Sequence, residues 1–153
     1  MKPTLPNNWR STTLLFLLLA AQCISAQLAW GEAKIDLKNN NGTTCSISVQ
    51  NDAKLLKDTS CKNDEVYYFK LAEVLAGTKI SFYDHNSRDS CSTTGWWFTV
   101  EAANFSTSTG WVKFSDLRDK SENEMITAGL FLVRKKGEIK DGNLSCVRSS
   151  NFN

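Results

Sequence analysis

A single histidine limits the chemistry this 153-residue chain can do. His85 stands beside Asp84, close to Asp89, in a polar stretch with Ser87 and Ser90. This is the only place where a base, an orienting carboxylate and a hydroxyl fall within a few residues of one another. The surroundings are those of a solvated loop, and the carboxylate pairs Asp64-Glu65 and Glu122/Glu124 lie in charged segments. Such segments do not raise a carboxyl toward a general acid's range. The expectation is a protein that is not an enzyme.

The cysteines point away from metal and toward covalent cross-links. No Cys-x-x-Cys pair occurs, and His85 lies six residues from Cys91, so neither a metal site nor a cofactor is expected. Cys45, Cys61, Cys91 and Cys146 form an even set, which in an exported chain favours two disulfides with three pairings open. Cys45–Cys61 with Cys91–Cys146 is the favoured pairing, since it closes one short local loop and one long one. The short loop alone would contribute roughly 3 kcal/mol through the unfolded state.

Export is read from the first residues. Lys2 and Arg10 precede the apolar run Leu14 to Ala21, and the smaller residues Cys23, Ser25 and Ala26 follow. A run this short suits a signal peptide over residues 1–26, whereas a membrane span needs about 20 apolar residues. Cleavage is expected after Ala26, with Ala29 as the alternative. Lipid attachment at Cys23 is disfavoured by Gln22, where a small residue is wanted, and an uncleaved interfacial anchor is the remaining alternative. The expected location is secreted or periplasmic, without stable membrane insertion once the signal is gone.

Losing Lys2 and Arg10 takes the basic residues from 18 to 16 against 16 acidic ones, so the net charge falls from +2 to zero. A neutral domain lacks the electrostatic footprint of a nucleic-acid binder, and no nucleic-acid partner is expected. Three sequons, at Asn41, Asn104 and Asn143, would accept glycans in a eukaryotic host and mean nothing in a bacterial one.

The elements that must position these residues are strands. Residues 27–44 read as a polar N-terminal segment with the turn Asn39-Asn40-Asn41-Gly42 and little core to offer. From Cys45 onward, short alternating or aromatic runs are separated by Gly, Asn, Asp and Ser. Leu130-Phe131-Leu132-Val133 and Leu144-Ser145-Cys146-Val147, flanking two turn dipeptides, predict a C-terminal hairpin over 118–153. The fold class is all-β and disulfide-bonded.

The stretch Leu75 to Leu117 carries the most specific pattern. Gly77-Thr78 leads into Lys79-Ile80-Ser81-Phe82, then Thr94-Gly95-Trp96-Trp97-Phe98-Thr99-Val100, then Thr109-Gly110-Trp111-Val112 with Leu117 closing. This resembles the bacterial-type Src-homology-3-like domain over about residues 46–117. The family's Leu-Asn-Val-Arg-Ser-Gly opening is missing, and the loop Tyr83 to Thr94 is longer than usual and carries Cys91. The resemblance implies a small SH3-like β-barrel over 45–117, followed by the hairpin extension.

Strand alternation then sorts the side chains. Ile80, Phe82, Phe98, Val100, Val112 and Phe114 go to the core. Trp97 and Trp111 go to the other face, with Tyr67 and Tyr83 nearby, as candidate ligand-binding residues that stack on sugar or peptide. The alternative is that these rings lie under the C-terminal hairpin as a second layer of core. The expected function is an exported non-catalytic binding module for cell-wall peptidoglycan (its glycopeptide) or a protein partner. The alternative is a secreted inhibitor or effector that blocks a partner enzyme through the 83–94 loop.

Overall fold

Two antiparallel sheets share one core in the computed structural model, which describes residues 31–87 and 90–151. The expected signal peptide lies outside the described residues, as do Arg88 and Asp89. The first sheet has four strands in the order β2-β1-β4-β7: β1 (Lys34–Asn39), β2 (Thr44–Ser48), β4 (Val66–Ala72) and β7 (Val112–Lys113). The second has six in the order β3-β10-β5-β6-β9-β8: β3 (Ala53–Leu55), β5 (Lys79–Ser87), β6 (Ser90–Ala102), β8 (Met125–Thr127), β9 (Leu130–Lys136) and β10 (Cys146–Ser150). Two short 3₁₀ turns, Leu56–Asp58 and Phe114–Leu117, interrupt the connections. The all-β, disulfide-bonded class expected from the sequence is the observed one.

The core forms because inward positions recur every second residue on facing strands. Ile35 and Leu37 of β1 and Phe69 and Leu71 of β4 meet Ile80 and Phe82 of β5 and Phe98 and Val100 of β6, all of them buried. Phe114 joins them from its 3₁₀ turn, and Val112 packs against the cluster while remaining half-buried. The rings of Phe69, Phe82, Phe98 and Phe114 lie 4.8–6.1 Å apart by centroid. Tilted and offset contacts of this kind contribute about 0.5–1.5 kcal/mol each beyond area burial. The core assignment by alternation therefore describes the molecule.

Four expectations of organisation need correction. The segment 27–44, read as polar and without core, contains β1, the strand that bridges β2 and β4. Its outward residues Lys34, Asp36 and Lys38 disguise the inward Ile35 and Leu37, and Gly42 (φ 90°) closes the β1–β2 turn that follows. The described residues of the expected 83–94 loop, 83–87 and 90–94, belong instead to the paired strands β5 and β6, in which His85 pairs with Ser92 and Ser87 with Ser90.

The hairpin expected between Leu130–Val133 and Leu144–Val147 does not form, and both segments join the six-stranded sheet. β9 pairs with β6 and β8, while β10 inserts between β3 and β5. The sheets remain two layers and close into no barrel. The six-stranded sheet takes in both C-terminal strands and ends on short edges, β3 and β8, that pair with no strand of the four-stranded one.

Two disulfides fasten this arrangement with the favoured pairing. Cys45–Cys61 ties β2 to the chain after the first 3₁₀ turn, and Cys91–Cys146 ties the far end of the β5–β6 hairpin to β10, each with Cα atoms 5.3 Å apart. No helix among the described residues is long and apolar enough to cross a membrane.

Candidate functional site

The outer faces of the two sheets carry the aromatic residues that the core did not take. On the six-stranded sheet, Tyr83 of β5 pairs directly with Trp97 of β6, and their ring centroids are 6.4 Å apart. Leu55, Cys146, Ala53 and Cys91 close over them, so Tyr83 is only 8% exposed and Trp97 is half-buried. The Trp97 indole Nε1 is buried there without a hydrogen-bond partner among the described residues. These two candidates are therefore a satellite core built around a disulfide, with little ring surface left for a ligand.

On the four-stranded sheet the outcome is reversed. Trp111, immediately before β7, is 38% exposed. Inward packing of Val112 and Phe114 leaves Trp111 and Lys113 on the outer side, where Lys113 pairs with Tyr68 of β4. Tyr68 in turn pairs with Lys38 of β1, and Lys70 with Asp36. The Lys38 Nζ sits 4.4 Å from the Tyr68 ring centroid and 4.5 Å from that of Trp111, while the Lys70 Nζ is 5.2 Å from the Trp111 centroid. Cation–π contacts at exposed positions are worth about 0.5–1 kcal/mol. They fix long, flexible lysine side chains against ring faces.

Ion pairs complete the face. Lys70 Nζ lies 3.0 Å from Asp36 Oδ2, and Ser46 Oγ donates to Asp36 Oδ1 at 2.7 Å. Burial by itself would raise the Asp36 carboxyl. The hydrogen bonds from Ser46 and Lys70 and the charges of Lys70 and Lys34 outweigh it and hold the group below its ordinary value of 3.8. Lys113 Nζ lies 3.2 Å from Asp141 Oδ2, and that hydrogen bond, followed by the charge of Asp141, raises the ammonium above its ordinary value. A groove lined by Trp111, Asp116, Lys120 and Ile126 opens beside the indole.

The four expected ligand residues are thus divided. Trp97 and Trp111 do not share a face, because they belong to the outer sides of two sheets whose inner sides meet. Tyr67 occupies a bulge in β4, where the register jumps from Lys38–Tyr68 to Asn39–Val66, and it is half-buried. Its ring packs so closely against Gly142 (φ 79°) that a Cβ there would lie 3.2 Å from it. Sequence reasoning missed Tyr68, Lys38, Lys70 and Lys113. A tyrosine pair in a strand is the one signal that could have suggested Tyr68.

The remaining candidates sit elsewhere. His85 Nδ1 is 3.0 Å from Asp84 Oδ1, with the imidazole 58% exposed and the Asp84 side chain 11%. Asp84 stands at the register shift between β5 and β6, opposite the extra residues 93–96 of β6, and lies so near Gly95 that a Cβ there would meet its carboxylate at 2.1 Å. Ser90 Oγ accepts a hydrogen bond from Arg148, and Asp89 lies outside the described residues. No group of three or more metal-ligating side chains occurs among the described residues. The sequon asparagines Asn41, Asn104 and Asn143 are all exposed.

Comparison with known proteins returns no matching family, no similar curated protein and no similar solved structure.

Proposed function

We infer that this chain is an exported, non-catalytic binding module that holds cell-wall glycopeptide on the outer face of its four-stranded sheet. One observation carries the reading: Trp111 stays exposed beside Tyr68, with the Lys38 and Lys70 ammonium groups set against its ring. An indole edge with positioned N–H donors around it suits a sugar ring with polar substituents. The two disulfides suit an oxidising destination, in keeping with the signal-like N-terminus. Kinship with the SH3-like family rests on the spacing of the Gly-Trp motifs alone, and the binding reading does not require it. The test is co-sedimentation of the secreted protein with purified insoluble peptidoglycan. Saturable retention supports the reading, and a protein left wholly in the supernatant overturns it.

The β5–β6 hairpin favours a second reading, an inhibitor or effector that blocks a partner enzyme. Its distal end is pinned to β10 by Cys91–Cys146, which would hold it ready for insertion into a cleft. A panel of lysozymes and proteases assayed with and without the protein separates the two. Inhibition without peptidoglycan retention would favour the hairpin.

A further inference from the structure

The charges on the outer face of the four-stranded sheet do not balance. Lys34, Lys38, Lys70 and Lys113 face the paired aspartates Asp36 and Asp141, with Asp116 and the Glu124-paired Lys120 in the groove beside Trp111, in a chain that is neutral beyond residue 26. Both aspartates are committed. Asp36 is held by Ser46 and Lys70, and Asp141 pairs with Lys113 while its Oδ1 accepts the Ser115 N–H at 2.9 Å. Lys38 makes no ion pair among the described residues. Its ammonium lies instead against two ring faces, 4.4 Å from the Tyr68 centroid and 4.5 Å from that of Trp111.

A ring face attracts a cation but leaves its positive charge uncancelled and its N–H groups short of oxygen acceptors. The side chain has thus already lost much of its freedom, and an incoming anion would not have to bear that ordering cost. A ligand that packs against the exposed part of Trp111 meets this ammonium beside the ring, 4.5 Å from its centroid. On the reading that the face binds glycopeptide, we propose that Lys38 selects ligands carrying a carboxylate next to the sugar that stacks on Trp111. The partner class is an acidic saccharide or glycopeptide, recognised by one charge-assisted hydrogen bond over an aromatic platform.

The experiment measures binding of three soluble probes to the full secreted protein: a muropeptide with free carboxylates, the same muropeptide with its carboxylates amidated, and a neutral chitin oligosaccharide. The free acid should bind about tenfold or more tighter than the amidated form, the size of one hydrogen bond to a charged group. Lys38→Gln should abolish that preference while retaining weak binding, and Lys38→Arg should restore it. Equal affinity for free and amidated muropeptide overturns the carboxylate proposal while leaving the binding reading intact. No binding of any probe overturns both. Equal competition by inorganic polyphosphate would show a general anion patch and overturn carboxylate selection. The comparison of probes on the unmodified protein decides the matter even where Lys38→Gln does not fold.

Discussion

Gly95-Trp96-Trp97 and Gly110-Trp111-Val112 use nearly the same residues to opposite ends. In the first, Trp96 enters the shared core at 4% exposure and Trp97 is roofed by Leu55 and the Cys91–Cys146 bridge. In the second, Val112 packs inward and Trp111 stays open under two lysines. Alternation decides which side of a sheet a ring takes. What covers that side is decided by strands far away in sequence, here β3 and β10 against β1 and β4. An aromatic residue in a strand therefore becomes a binding surface only where no distant apolar segment arrives to cover it.

The largest effect is expected for Trp96→Ala, which leaves a cavity among Phe98 and Phe114 and should cost about 3–5 kcal/mol in denaturant unfolding. A loss below that range would mean the two sheets share less core than their ring contacts imply. Replacing Cys91 and Cys146 together with serine frees the hairpin end from β10 and should cost about 2–5 kcal/mol. The same variant should shift Trp97 emission to the red as its roof loosens. Unchanged emission would show that Leu55 and Ala53 cover the ring unaided.

Trp97→Ala itself should cost about 1–3 kcal/mol, less than a fully buried indole because part of the ring is already wet. Trp111→Ala should cost no more than about 1 kcal/mol, the scale of an exposed cation–π contact. Thermal melts of the pair rank the two faces, and equal losses would erase the distinction between them.

The smallest effect concerns pH. The folded value of Asp36 lies below its ordinary 3.8, so its contribution to stability is complete above about that pH and is lost as pH falls through the lower folded value. Asp36→Asn should flatten that part of the stability–pH curve by no more than about 1 kcal/mol, as for a partly exposed ion pair. A change confined to higher pH would assign the effect to another group.

Much of the core was legible because period-two alternation is a local signal. Ile80, Phe82, Phe98 and Val100 follow from it without knowledge of their partners. The strand class and the cysteine pairing were legible for similar reasons, the first from turn residues at short spacing and the second from one short loop. β1 escaped notice because it offers only two inward apolar residues, between lysines and aspartate, just before an Asn-rich turn. The destination of the C-terminal strands was hidden because Leu130–Val133 pairs with β6 as well as with the adjacent β8, and Cys146-Val147 with β3 and β5, rather than with each other.

The proposed binding face was only partly legible. Trp111 was named, but its companion was taken as Tyr67 where Tyr68 is the outward residue. The β4 bulge breaks the alternation at that step. Lys38 lies thirty positions before Tyr68, and only the β1–β4 register brings them together.

The most direct test of the account is the peptidoglycan-binding isotherm of Trp111→Ala beside that of the unmodified protein. The expected result is affinity lowered by about 1–3 kcal/mol, the size of a hot-spot truncation. Affinity equal to that of the unmodified protein would contradict it and remove Trp111 from the site.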